Sequence, residues 1–374
     1  MGADEADELI RGKVGGIGRR PVLTGKEAKG PFEPTGVLAD IPVDATHEWV
    51  VAQLLERLQN RFTGLNPVAA GHRVVHGGLE FTGPIMVDGA VREKLEGLVP
   101  LAPLHQPHNL AAIDAIARVV PDLPQVACFD TSFHRTMPRL AQLFALPRKL
   151  TDEGIVRYGF HGLSYEYIAG ALPGQLGPSA DGRVIVAHLG NGASMCAMKK
   201  RHSIATSMGF TALDGLVMGQ RCGSLDAGVV LHLIQQKGLT ADEVWHLLHR
   251  ESGLLGVSGI SSNMKDLETS TDPQAGEAID LFCYRAVQEI GALTAVLGGL
   301  DALVFTAGIG ENSAAVRRII CKSAAWLGIE LDDDANDTGA QRISSTKSTI
   351  NVCVIPTDEE AVIAPSTRKL IKSK

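Results

Sequence analysis

The sequence has no C-x-x-C pair. Its six cysteines, Cys128, Cys196, Cys222, Cys283, Cys321 and Cys353, stand isolated along 374 residues. That spacing deprives both a zinc site and a secreted disulfide framework of their usual ligands. Several of the six, Cys128 and Cys353 among them, lie inside strand-like apolar runs and read as core thiols. No apolar run approaches the roughly 20 residues that span a bilayer. The acidic opening, Met1 to Leu9, lacks the apolar core of a signal or transit peptide. Positive charge is not in excess either: the formal charge is -7 and the basic residues are scattered. No global field draws such a chain to nucleic acid or anionic lipid. The expectation is a cytoplasmic protein with no nucleic-acid partner and no membrane partner.

Common nucleotide and hydrolase signatures are missing as well. Thr24-Gly25-Lys26-Glu27 lacks both the upstream glycine and the hydroxyl residue of a G-x-x-x-x-G-K-[ST] loop. Gly308-Ile309-Gly310-Glu311-Asn312-Ser313 lacks the final glycine of the dinucleotide fingerprint. G-x-S-x-G does not occur, so a nucleophile-elbow hydrolase has no support.

What is present is an ordinary globular mixture, 45% hydrophobic and 21% charged, in a chain longer than one core usually serves. Two domains are expected, with a boundary near Thr131 to Pro138. Strand-like and helix-like segments alternate in the manner of an α/β protein. Arg183 to His188, Ala302 to Thr306 and Val126 to Phe129 are short apolar runs that read as buried strands. Thr46 to Arg61, Ala275 to Leu297 and Ser313 to Leu327 read as helices, the last capped by Asn312 or Ser313 and by Gly328. Pro173 to Arg183, rich in Gly, Pro and Ser, reads as a surface loop.

Two strand-to-turn junctions are rich in glycine: Val186 to Ser194 and Phe305 to Ser313. Glycine lets backbone N–H groups approach a phosphate, and the second junction leads into a helix whose N-terminus favours anions. Either junction alone is equally compatible with a tight turn that binds nothing; two in one chain favour a nucleotide. Polar residues also stand where apolar runs end, as open α/β sheets require of ligand sites. These are Asp130, Arg73, Arg221 between glycines, and Asp358, Glu359 and Glu360. Singly, each is more often a surface charge or a structural ion pair. His246 and His249 share a helical face without a metal partner of the usual type, and read as surface or packed residues. His72 and His76, on one strand, lie roughly 13 Å apart and cannot share a metal ion.

Nine segments, in this order, resemble the acetate kinase family. They are GHRVVHGG (71–78), APLHQPHNL (102–110), FDTSFHRTMP (129–138), RYGFHGLSYEY (157–167), VAHLGNGAS (186–194), TSMGFTALDGLVMGQRCG (206–223), ESGLLGVSG (251–259), FTAGIGENS (305–313) and PTDEEAVIA (356–364). The resemblance runs from about Arg11 to Ile363. It implies an α/β fold of two related domains of the actin, sugar kinase and heat-shock chaperone ATPase type, with ATP in an interdomain cleft. The first domain would be 1–134 plus 360–374, and the second, nucleotide-binding domain 135–359. The implied reaction is reversible phosphoryl transfer from ATP to acetate, giving ADP and acetyl phosphate. Propionate is the rival substrate, a nucleotide-binding protein with little kinase activity is the rival function, and a homodimer is the implied assembly.

Carried over residue by residue, the resemblance makes Arg73 and Arg221 the arginines that hold carboxylate or acyl phosphate. Guanidinium stays charged and meets such oxygens in pairs. Asp130 is similar to the family's essential aspartate, Glu359 to its Mg2+-associated glutamate, and His161 to the histidine at the transferring phosphoryl group. His188, Gly190, Asn191, Gly192, Gly308, Gly310, Glu311 and Asn312 correspond to ATP-contacting positions. Val75, Leu104 and Phe160 correspond to the acyl pocket, and so does Ala212, where the family usually has proline. Two other departures are Tyr165, at a usual histidine, and Gln220-Arg221-Cys222-Gly223, at a usual T-R-S-G. The family also opens with a strand and an N-x-G-S-S-S-x-K loop, which Met1 to Asp7 do not contain. From that the chain is expected to turn over weakly or not at all and to aggregate.

Overall fold

Apolar β-branched runs fold as strands when both faces find cover, and the longest runs here do so. The computed structural model describes residues 8, 10–15, 17, 22–27, 30–31, 41–61 and 66–373. Met1 to Asp7, on which the expectation of a missing loop falls, lie outside the described residues. The chain forms two compact α/β units. One is Met1–His76, Gly83–Cys128 and Glu360–Lys374; the other is Gly77–Thr82 and Phe129–Glu359.

In the first unit, β1 (Ile10–Gly15) pairs antiparallel with β2 (Val22–Glu27), from Ile10 opposite Glu27 to Gly15 opposite Val22. Thr24-Gly25-Lys26-Glu27 therefore belongs to a ladder and not to a phosphate loop. β3 (Gly30–Pro31) completes this sheet. A second sheet has the order β4 (Ala70–Val74), β6 (Gln125–Phe129), β5 (Ile85–Met86). The C-terminal helix Glu360–Lys372 packs on β4. A side chain at Gly71 would run into Thr367 and Ile363, so glycine permits that approach.

The second unit is built on a five-stranded sheet of order β11-β10-β7-β8-β9. Its strands are β7 (Arg183–Leu189), β8 (Ala193–Lys199), β9 (His202–Thr206), β10 (Ala302–Thr306) and β11 (Asn351–Val354). β10 runs parallel to both β7 and β11, whereas β8 is antiparallel to β7 and β9. Every residue of β10 is buried. The helix Gly162–Leu176 lays Tyr165, Ile168 and Leu172 against Val184, Val186, Cys196 and Val304. Each such apolar side chain contributes roughly 1.5–3 kcal/mol on burial. Five of the six cysteines are buried and all are free; burial pushes the Cys196, Cys283 and Cys321 thiols up to about 12.

Three sequence expectations need correction. Pro173 to Arg183 is not one loop, because the helix continues through Pro173 to Leu176 and a 3-10 turn, Gly177–Asp181, follows. Pro173 lies inside this helix and has no N–H to donate back to the carbonyl of Ala169. The helix expected over Ser313 to Leu327 spans Ala314–Ser323, capped by Ser313 Oγ on Val316 N, with a separate 3-10 turn Ala325–Leu327 before Gly328. His246 does face a carboxylate, Glu251 at 3.3 Å, on the exposed side of its helix. Among the described residues, no group of three or more His, Cys, Asp or Glu is arranged to hold a metal ion. No helix there is long and apolar enough to cross a membrane.

Candidate active site

Three parallel strands of the second unit end at one rim of the sheet. β7 runs into Gly190-Asn191-Gly192, β10 into the short helix Ala307–Asn312, and β11 into Pro356 to Glu359. The second junction is held by its own acid. Glu311 Oε1 accepts hydrogen bonds from Ala307 N at 2.7 Å and from Thr357 N at 3.1 Å, which ties the ends of β10 and β11 together. Arg317, buried, closes the other end. Its Nη1 donates to the carbonyls of Gly310 and Glu311, while Nε and Nη2 donate to Asn336. Burial lowers the Arg317 pKa, and four oxygen acceptors take the place of most of the water it loses.

Beside these turns lies a cavity of about 780 Å³. Gly190, Asn191, Gly308 and Asn312 form one wall of it. A second wall comes from Asn263, Lys265 and Glu268, at the start of and within the helix Met264–Thr269. Glu268 accepts a hydrogen bond from Ser313 Oγ, which fixes this wall to the cap of the next helix. His188, Gly192, Gly310 and Glu311 do not line the cavity. Glu311 is occupied by backbone donors, and Gly310 is buried behind them.

A polar cluster adjoins the cavity. His161 has a left-handed backbone, φ 59°, unusual for a residue with a side chain and costing roughly 1 kcal/mol. The strain is opposed on two sides. His161 Nδ1 lies 2.8 Å from Ser194 Oγ, and the ring stacks on His188 at 4.2 Å between centroids. Tyr165 Oη lies 2.5 Å from the same Ser194 Oγ. His188 Nδ1 lies 2.8 Å from Ser164 Oγ, which takes a hydrogen bond from Thr357 Oγ1. Gly162 N donates to the carbonyl of Asp130, and a side chain at Gly162 would collide with that oxygen, so the turn before the helix is locked to Asp130.

Arg221 reaches the same place. A methyl group at Gly192 would stand 2.9 Å from Arg221 Nη2 and 3.3 Å from His161 Nε2, so both nitrogens border this glycine. Arg221 Nη1 donates to the Ala212 carbonyl at 2.5 Å. Burial, with Arg250 nearby, lowers the guanidinium to about 10, which leaves it charged at neutral pH. Phe160 is buried, and its carbonyl accepts from His134 Nε2 at 3.0 Å. Asp130 is buried and Glu359 is half-buried. In the first unit, Arg73 is exposed on β4, Leu104 is half-buried, and Val75 is buried with its N–H on Asn109 Oδ1.

Sequence reasoning missed Ser194, Ser164, Asn263, Lys265 and Glu268. Ser261-Ser262-Asn263 carried an N-cap signal that Asn263 fulfils on Lys265 N. Nothing in that signal marks a cavity wall.

Residues 38–365 match the model of the acetokinase family. The chain is 55% identical to the acetate kinase of Rhodopseudomonas palustris over 363 residues, covering 96% of this chain and 90% of the relative. It superposes on the crystal structure of a propionate kinase from Francisella tularensis with a TM-score of 0.90 at 36% identity, covering 96% and 93% of the two chains. It superposes on that of Porphyromonas gingivalis acetate kinase with a TM-score of 0.86 at 36% identity, covering 97% and 93%.

Proposed function

The chain belongs to the acetokinase family, and from that premise we propose the roles of its residues in phosphoryl transfer between ATP and a short carboxylate. It phosphorylates acetate with ATP, yielding ADP and acetyl phosphate. A carboxylate is already a nucleophile at neutral pH, so alignment and charge stabilisation carry the catalysis. The observation that supports the site reading is the convergence of Arg221 Nη2 and His161 Nε2 on Gly192, one residue from the wall of a nucleotide-sized cavity. In this reading Gly190, Asn191, Gly308 and Asn312 take ATP, and Arg221 and His161 face the transferring phosphoryl group. Arg73 holds the carboxylate.

Mg2+ takes few protein oxygens, its shell being completed by water and phosphate. A buried Asp130 and a half-buried Glu359, both carboxylate oxygen donors, fit that demand. When bound, the ion supplies positive charge at the phosphate oxygens. The helix Ala227–Gln235 buries none of its residues and exposes Val229, Leu231 and Ile234, which supports a homodimer through this face. A cytoplasmic location completes the proposal.

Propionate is the second reading, supported by the propionate kinase neighbour and by the small side chain of Ala212. An extra methylene is worth about 0.8 kcal/mol, so acetate and propionate are expected to differ in kcat/KM by only a few-fold. ADP release, coupled to a second enzyme and followed with each acid in the presence of Mg2+, tests this. No release with either acid overturns the reading, and a preference of a hundredfold overturns the substrate range.

A further inference from the structure

We propose that Asp214 is a positioning residue, whose carboxylate closes the segment 207–226 on itself so that the Ala212 carbonyl holds the Arg221 guanidinium beside Gly192. The proposal rests on the phosphoryl-transfer reading above, in which Arg221 faces the transferring group.

Between β9 and the helix Ala227–Gln235 the chain forms neither helix nor strand. Arg221 lies in this segment. Its Nη1 donates to the Ala212 carbonyl at 2.5 Å, and its Nη2 borders Gly192. Guanidinium is a planar, rigid fork, so a shift of the Ala212 carbonyl carries Nη2 with it. Whatever fixes Ala212 therefore fixes the donor at the site. Around Arg221 itself the segment is held by backbone bonds: Gly219 N donates to the Asn191 carbonyl, Cys222 N to that of Leu248, and Ser252 N to that of Gln220. Around Ala212 it is held otherwise. Among the described residues, no backbone-to-backbone hydrogen bond joins 210–214 to another segment, and a side chain has to do the work of a ladder.

Asp214 is that side chain. Its Oδ1 accepts from Gly215 N at 2.8 Å and from Ser224 Oγ at 2.7 Å, while Ser224 N donates to the Gly215 carbonyl at 2.9 Å, so the segment closes into a ring with Arg221 inside it. Its Oδ2 lies 3.4 Å from Arg157 Nη1, which also donates to the carbonyls of Ser207 and Met208. A methyl group at Gly209 would stand 2.7 Å from the same Oδ2, so the chain just before Ala212 packs directly on this carboxylate. One group thus joins the beginning, the middle and the end of the segment and flanks Ala212 on both sides. Asp214 and Arg157 are both partly exposed, and ion pairs of that kind add little to stability. The effect of losing Asp214 is therefore expected in the rate, through the place of Arg221, and not in the melting temperature.

The test is a double-mutant cycle in the full chain. Asp214→Ala is expected to lower kcat at least about tenfold, a fraction of what a 1 Å displacement of a positioned group costs. KM for ATP is expected to stay within about twofold, because the backbone bond from Gly219 to Asn191 remains. In an Arg221→Ala background the same substitution is expected to change kcat by less than about twofold, since nothing is left to position. Ser224→Ala, at an exposed residue, removes one of the carboxylate's partners and is expected to give a smaller fall that also vanishes without Arg221. It decides the matter if Asp214→Ala fails to fold. Equal losses with and without Arg221, or normal turnover in both variants, overturn the proposal. A second readout needs no turnover: in the chain labelled with ¹⁵N-arginine, with Arg221→Ala identifying the signal by its loss, the Arg221 Nη groups are expected to be distinct and slowly rotating, and to average in Asp214→Ala or Ser224→Ala. Unchanged Arg221 signals in both folded variants overturn the proposal. If the wild type forms no acyl phosphate, the phosphoryl-transfer reading fails on its own while the spectra still decide what places Arg221.

Discussion

Gly192 shows how small the tolerances of the site are at the scale of one residue. Added methyl carbon would stand 2.9 Å from Arg221 Nη2 and 3.3 Å from His161 Nε2, both ends of polar side chains and neither of them backbone. Those ends can shift, so Gly192→Ala is expected to leave the melting temperature within a few degrees of wild type. A displacement near 1 Å in a positioned group costs about a hundredfold in rate, and kcat is expected to fall by that order. Gly215 contrasts with it, because its φ of 100° and a backbone carbonyl of Ser207 at 2.8 Å make Gly215→Ala a folding defect first. Unfolding curves and kcat measured on both variants check this, and a Gly192→Ala enzyme with normal turnover would contradict it. Some of this was legible in the sequence. The glycines around Asn191 marked a close backbone approach, whereas the serine at the end of the same segment, Ser194, carried no sign of its bond to His161.

Among the elements, the short helix Ala307–Asn312 bears on the nucleotide cavity most directly. Six residues cannot sustain a helix on propensity alone, and this one contains two glycines. It is held instead by Glu311 on its first N–H and by Arg317 on its last carbonyls. Arg317→Met keeps bulk but removes four hydrogen bonds and orphans buried oxygens, at about 3 kcal/mol or more. Denaturant unfolding is expected to show that loss, and KM for ATP is expected to rise because Gly308 and Asn312 line the cavity. An unchanged midpoint would mean that the Arg317 contacts do not hold the helix. Here the sequence was partly readable. Ala302 to Thr306 announced a strand by its unbroken apolar run, and the structure has a strand over those residues. The glycine-rich stretch from Ala307 read as a turn, because two glycines in six residues give no helical signal, yet Ala307–Asn312 is a short helix that ends at the Ser313 cap of the next one.

For the whole molecule, buried histidines link stability to pH. Burial lowers His134 and His76 to about 4 and also lowers His72, so the folded chain resists protonating them. Above pH ~6.5 these rings are neutral in both states and contribute no penalty. As pH falls from about 6.5 towards 4, the unfolded chain gains protons that the folded chain refuses, and stability is lost through that window. The melting temperature is expected to fall across it, and His134→Gln to flatten the fall. A profile independent of pH from 7 to 4 would contradict the buried neutral state. Long-range organisation was the least legible feature in residue patterns alone. Nothing local in Glu360–Lys372 says that it packs on β4, since the permissive residue is Gly71 near the other end of the chain.

The central claim is chemical, and one measurement reaches it most directly. The purified chain, incubated with ATP, Mg2+, acetate and hydroxylamine, is expected to form acetohydroxamate in step with ADP, while Arg221→Ala, removing a charge-matched donor worth about 3 kcal/mol, is expected to lose at least about a hundredfold in rate. ADP without hydroxamate, no product at all from the wild type, or an Arg221→Ala protein as active as wild type would contradict the account.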